Sequence, residues 1–137
     1  MSSRSLRDIT VREYMAANLV TFTPETEIFE AIRQLLNHGI SGAPVTDKLG
    51  NIVGILSEKD CLNMALNAAY YDEMGGRVAD FMSGKAVTVD VETSIVEVAE
   101  MFLNSPFKRY PVLKDNRLVG QISRSDVLKA IEALSTT

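Results

Sequence analysis

Apolar residues along the chain change rhythm from short β-type runs to helical spacing and back, and the whole succession occurs twice. Leu19 to Phe22 and Ala86 to Val89 are short β-type runs. After the first, Ile28, Ala31, Ile32, Leu35 and Leu36 fall at i, i+3, i+4, i+7 and i+8, which is one helical face; Ile95, Val98, Ala99, Phe102 and Leu103 repeat the spacing. Ser94 and Glu97 offer a capping box to the second of these helices. Pro44-Val45 and Pro111-Val112 then open a strand, joined through a turn at Gly50 or Asn116 to a second apolar strand as a hairpin. Another helix ends each copy, so the predicted order is strand, helix, strand, strand, helix.

The two copies can be laid over one another residue by residue. Val11 to Met15 answers Val78 to Met82, and Val20-Thr21, Glu25-Thr26 and Ile28 answer Val87-Thr88, Glu92-Thr93 and Ile95, at an offset of 67 residues. Beyond Pro44-Val45 the offset falls to 66, because Asp47 to Asn51 has one residue more than Lys114 to Arg117. A length change there marks a surface turn. The expected division is a repeat at 8–66, a linker at 67–77 and a second repeat at 78–134. The linker carries Tyr70, Tyr71, Asp72, Glu73, Met74, Gly75 and Gly76, which read as an exposed connector or a lid.

A three-stranded sheet with two helices on one face leaves its other face apolar and uncovered, which a unit of this size does not tolerate alone. The expected fold is therefore α+β, with two tandem repeats packed sheet to sheet about a pseudo-twofold axis and clefts between them suited to a small ligand. A chain of 137 residues can bury roughly two-thirds of its unfolded surface, whereas one half of it is marginal.

Charge and composition narrow the partners. The net charge is −4, the isoelectric point is near 5.0, and the basic residues are scattered apart from Lys108-Arg109, so neither nucleic acid nor membrane insertion is expected. No apolar run is long enough to span a bilayer and the first residues lack a signal core, so a soluble cytoplasmic protein is expected. Cys61 is the single cysteine and reads as core; His38, the single histidine, falls in a last helical turn before Gly39. With no cluster at metal-ligand spacing and no nucleophile elbow, the chain is not expected to be an enzyme, nor to carry a covalent cofactor.

One nine-residue stretch carries the candidate chemistry: Ile52 to Asp60, and again Leu118 to Asp126. Each copy runs from apolar residues through a glycine at its third place to Ser-x-x-Asp, a strand entering a helix. The serine suits the N-cap and the aspartate lies one turn in, beside unpaired backbone N–H groups. This is an ordinary capping box, and equally a place where a phosphate binds. Asp60 or Asp126 can accept from both hydroxyls of a ribose, Ser57, Ser123 and Ser125 can donate to phosphate, and backbone around Val20 and Val87 can meet an adenine edge. Lys108-Arg109 can neutralise phosphate or be loop charges in solvent.

The duplicated Val-x-x-Tyr/Phe-Met, Val-Thr, Pro-Val and Gly-x-x-Ser-x-x-Asp pattern resembles a pair of cystathionine-β-synthase-type (CBS) domains, the Bateman module, over residues 8–134. The resemblance implies sheet-packed repeats that bind AMP, ADP, ATP or S-adenosylmethionine in two clefts and regulate a linked enzyme, channel or transporter. It implies contacts from Ser57, Lys59, Asp60, Ser123, Ser125 and Asp126 in the turns. Further contacts are implied from Val20, Ala86 and Val87 on the short strands, and from Ser41, Gly42, Pro44, Lys108, Arg109 and Pro111 at the hairpin heads. It also implies crossed sites, the Asp of one repeat working with the strand and basic segment of the other. The first repeat reads Ser41-Gly42-Ala43-Pro44 where the second reads Lys108-Arg109-Tyr110-Pro111, so one cleft lacks the cations. With no effector domain read in the sequence, the expectation is a stand-alone nucleotide sensor, acting on a separate partner or as a homodimer through helix faces bearing Leu6, Ile9, Leu62, Leu66, Leu128 and Ile131. The rival expectation is a ligand-free interaction module.

Overall fold

A computed structural model of the chain describes residues 4–84 and 86–135, which divide into two compact units. The continuous unit is Val20–Ala86; the split unit joins the described residues up to Leu19 to those from Val87 onward.

In the continuous unit, helix α1 (Ile28–His38) begins where Glu27 accepts the Glu30 N–H at 3.1 Å and ends at Gly39. Gly39 has φ 61°, a left-handed conformation that glycine adopts without strain, and its N–H closes on Leu35 and Leu36. His38 stands exposed in that last turn. Strands β1 (Gly42–Thr46) and β2 (Ile52–Ser57) form the antiparallel hairpin, followed by α2 (Glu58–Tyr71) and the short α3 (Val78–Phe81). Ile28, Ala31 and Leu35 pack on Ala43, Val45, Leu56, Met64, Val78 and Phe22 to make the core. Cys61 is partly buried against it, not enclosed within it. Helix α2 runs on to Tyr71, and the chain then turns through Asp72 at φ 54° and Gly75 and Gly76 at φ 102° and 133°.

The split unit contains β3 (Val89–Asp90), α4 (Ile95–Leu103), β4 (Arg109–Lys114), β5 (Arg117–Ser123) and α5 (Arg124–Ser135), preceded by 3-10 turns at Leu6–Asp8 and Val11–Glu13. Its sheet has the order β3-β4-β5. Ile95, Val98 and Phe102 meet Tyr110, Val112, Ile122, Val127 and Ala130 in a second core. Ser94 caps α4 through the Glu97 N–H at 3.1 Å, a one-way cap in place of the expected reciprocal box. Ile9 is not on an outward helix face, as expected, but buried in this core with Val11.

The expected strand at Leu19 to Phe22 shrinks to one parallel bridge, Phe22 to Val45, whereas Val89–Asp90 forms a strand on β4 that Val91 extends by an N–H to Leu113 at 3.0 Å. The place of Val91 is taken in the continuous unit by Pro24, which has no N–H to donate, so the ladder stops. Proline is harmless at Pro44 and Pro111, because their partners Ile55 and Gln121 turn their own N–H and C=O groups outward, to Ser83 and Ala16.

Those outward bonds reveal an exchange. Residues 9–16 dock on the body of the second repeat: Val11 N–H to Thr93 O at 2.8 Å, Ile95 N–H to Ile9 O at 2.9 Å, and reciprocal bonds between Ala16 and Gln121 at 2.8 and 2.9 Å. Residues 76–83 dock on the first in the same way, with Val78 N–H to Thr26 O at 2.8 Å, Ile28 N–H to Gly76 O at 2.9 Å, and Ile55 paired with Ser83 at 3.0 and 2.9 Å. Arg12 adds an ion pair to Glu92. Each leading segment therefore completes the sheet edge of the other repeat, and this dictates the glycine in the nine-residue stretch. A Cβ on Gly54 would lie 2.5 Å from the Ser83 carbonyl oxygen and 2.9 Å from Met82 Sδ; on Gly120 it would lie 2.7 Å from that of Ala16 and 3.0 Å from Met15 Sδ.

Candidate functional site

Both Ser-x-x-Asp turns fold as reciprocal caps. In the first, Asp60 Oδ2 accepts from the Ser57 backbone N–H and hydroxyl, both at 2.9 Å, while Ser57 Oγ accepts the Asp60 N–H at 3.1 Å. In the second, Asp126 Oδ2 accepts from Ser123 N–H at 2.9 Å and Oγ at 3.0 Å, and Ser123 Oγ accepts the Asp126 N–H at 3.3 Å. Strand apolarity delivers the chain into the helix, and the two side chains satisfy groups that the first turn leaves unpaired. Both pairs are part-buried. The second turn also carries Ser125, its hydroxyl 2.9 Å from that of Ser123; the exposed Lys59 holds that place in the first.

Each turn adjoins the head of its own hairpin. Gly42 pairs with Ser57 across β1 and β2, and the Ser41 carbonyl accepts the Glu58 N–H at 2.8 Å. Arg109 pairs with Ser123 across β4 and β5, and the Lys108 carbonyl accepts the Arg124 N–H at 3.3 Å. Strand register thus sets the basic pair beside the Ser123–Asp126 turn within the split unit. Pro44 and Pro111 are buried in the following strand positions; Val87 is exposed, and Val20 and Ala86 are half-buried. Of the expected contacts, Val20, Ser41, Gly42, Pro44, Ser57, Lys59, Asp60 and Ala86 belong to the continuous unit, and Val87, Lys108, Arg109, Pro111, Ser123, Ser125 and Asp126 to the split one.

The electrostatics of the turns differ. Asp126 Oδ1 lies 3.8 Å from Lys129 Nζ, a pair worth little at that exposure of the lysine. Among the described residues Asp60 has no ion pair, and neither Lys108 nor Arg109 meets a carboxylate. Arg109 Nε is buried with no hydrogen-bond partner, a costly state for a guanidinium N–H. Arg124 is exposed but laid back, its guanidinium carbon 6.0 Å from the centre of the Phe102 ring. Burial, followed by the neighbouring Asp60 and Glu58, pushes the Cys61 thiol up from its ordinary value and keeps it protonated.

Among the described residues no group of three or more His, Cys, Asp or Glu side chains is placed to hold a metal ion, and no helix is long and apolar enough to cross a membrane. What the sequence did not disclose is the exchange of leading segments. Its trace was present in Met15 and Met82, which recur 67 residues apart while the glycines they cover, Gly120 and Gly54, recur 66 apart.

The family model for the CBS domain matches residues 11–67 and 78–133. The uncharacterised protein MJ1225 of Methanocaldococcus jannaschii is 26% identical over 121 residues, which cover 88% of this chain and 42% of the relative. Inosine-5'-monophosphate dehydrogenase of Staphylococcus aureus is 29% identical over 119 residues, 85% of this chain and 23% of that enzyme. The chain thus spans less than half the length of either. Among solved structures, CBSX2, a CBS-pair protein of Arabidopsis thaliana, has been crystallised in complex with AMP; that structure superimposes with a TM-score of 0.80 at 27% identity over 93% of this chain and 98% of its own.

Proposed function

Since the chain belongs to the CBS domain family, with both repeats matched, we propose that it is a non-catalytic regulatory module that binds an adenine nucleotide, AMP foremost, and transmits its occupancy to a partner protein or to its own twin. The observation that carries this reading is the buried Arg109 Nε without an acceptor, next to a helix N-terminus whose serine and aspartate are already ordered. The AMP bound by CBSX2 supports the choice of ligand. Asp60 and Asp126 take the ribose hydroxyls, the serines and helix N-termini the phosphate, and Lys108 and Arg109 its charge. ADP, ATP and S-adenosylmethionine are the alternative ligands.

A second reading, an interaction module whose turns are caps only, is favoured by one observation: both boxes are complete without any ligand. Calorimetry with AMP, ADP, ATP and S-adenosylmethionine separates the two. Heat of binding with at least one, and none of it lost to turnover on prolonged incubation, is the expected result; flat titrations on nucleotide-free protein leave the interaction module.

Assembly is part of the proposal. Leu62 and Leu66 on α2 and Leu128 and Ile131 on α5 are exposed large apolar residues in pairs four and three apart, a spacing that lays each pair along one helix face. Closed twofold pairing would cover them. Light scattering is expected to give about twice the 15.1 kDa chain mass; a mass that stays at one chain across concentrations removes the dimer.

A further inference from the structure

We propose that Ser105, Tyr110 and Arg124 are positioning residues that hold the Ser105 to Arg109 segment in shape for an anionic ligand, an inference that rests on the adenosyl-ligand reading above. The bonds run as one directed chain. The Phe107 N–H donates to Ser105 Oγ at 3.3 Å, Ser105 Oγ to the Tyr110 hydroxyl at 2.6 Å, and that hydroxyl to the Met101 carbonyl at the end of α4 at 3.1 Å. From the other side Arg124 reaches back, its Nη2 donating to the Ser105 carbonyl at 3.4 Å and its backbone N–H to that of Lys108 at 3.3 Å. The Tyr110 ring is buried, 4.7 Å from Phe102 and 5.9 Å, edge-on, from Phe107.

Two features separate this network from ordinary loop packing. It has no counterpart in the continuous unit, where the equivalent positions are His38, Ala43 and Glu58 and only the backbone bond from Glu58 to Ser41 remains. It occurs only where the basic pair occurs. It also leaves the cations unused: Arg109 alternates with Tyr110 along β4 and so stands on the opposite face of the sheet, its Nε unpaired. Ordering the backbone beforehand lowers the conformational entropy that a phosphate would otherwise have to remove on binding.

Calorimetry with AMP and with adenosine tests the assignment. Tyr110→Phe keeps the ring and removes the hydroxyl, and it is expected to weaken AMP about three- to tenfold, the value of one or two neutral hydrogen bonds. Adenosine should change by less than about twofold, because the network acts through the cations, which meet only phosphate. Ser105→Ala should do the same, the double variant should be no worse than about either single one, and Ser105→Thr should restore binding. In a Lys108→Ala, Arg109→Ala background Tyr110→Phe should have no further effect on AMP. Equal losses for AMP and adenosine, or an AMP affinity indifferent to Tyr110→Phe in a protein that Arg109→Ala does weaken, overturn the network alone. A wild-type protein that binds no adenosyl ligand overturns the underlying reading and this inference with it.

Discussion

The two Ser-x-x-Asp turns are alike where the fold needs them and different where a ligand would read them. Their caps agree bond for bond, with the aspartate Oδ2 taking the serine N–H at 2.9 Å in both. Their hairpin heads do not: Gly42 stands opposite Ser57, and Arg109 stands opposite Ser123 with a buried, unpaired Nε. Duplication by itself therefore says nothing about ligand binding, since a cap would be copied as readily as a site. The asymmetry is informative, because nothing in the fold requires an arginine at the head of β4 when glycine serves at the head of β1.

The sharpest way to break this comparison is to remove the arginine. Arg109→Ala should weaken AMP about ten- to a hundredfold, the worth of a charge-assisted hydrogen bond, and leave adenosine nearly unchanged. Asp60→Ala and Asp126→Ala, made in turn, then show which carboxylate shares that ligand; the crossed sites that the family resemblance implies make the larger loss that of Asp60→Ala. A larger loss for Asp126→Ala transfers the role to the turn that strand register sets beside Arg109. AMP affinity untouched by Arg109→Ala would remove the electrostatic difference between the units as a functional one.

The glycines test what the two units have in common. Gly54→Ala and Gly120→Ala each push a methyl into a docked backbone carbonyl, and overpacking of this kind costs about 1–3 kcal/mol. Gly54→Ala should be the worse, since its contact is 2.5 Å against 2.7 Å. Urea titrations that show both variants as stable as the parent would mean the leading segments are not held as described.

Much of this was legible in the sequence, and the rest was hidden for identifiable reasons. Helical periodicity placed α1 and α4, Gly39 marked the end of α1, and the capping pattern placed both turns. Those are local signals, carried within one turn of helix or one hairpin. The exchange of leading segments is a long-range pairing, and a repeat that docks on its twin has the same sequence as one that docks on itself. The missing strand was legible in principle: Pro24 stands where Val91 donates to the ladder, but the apolar run before it reads the same in both copies. The basic pair was legible, whereas the network behind it was not, because Ser105 and Tyr110 look like loop and core until α4 supplies the Met101 carbonyl.

The smallest expected effect lies in the hairpin turns, where the extra residue of the first repeat falls. In the continuous unit Asp47 accepts the N–H groups of Asn51 and Leu49, each at 2.9 Å, and the turn closes through Gly50 at φ 84°. In the split unit the shorter turn is made by Asp115 and Asn116, both left-handed at φ 51° and 66°. The bond from the Asn51 N–H, then that from Leu49, holds the Asp47 carboxyl below its ordinary value. A carboxyl depressed in the folded state contributes stability that is present above its unfolded value and lost as pH falls through the folded one. The contribution is small because the side chain is open to solvent. A carboxyl titration by NMR should find Asp47 below the ordinary aspartate range, with the Leu49 and Asn51 amide signals moving at the same midpoint. Asp47→Asn should abolish that amide response while leaving the Asp115–Asn116 turn unaltered. An Asp47 that titrates at or above its ordinary value would show that the longer turn is not held by its carboxylate.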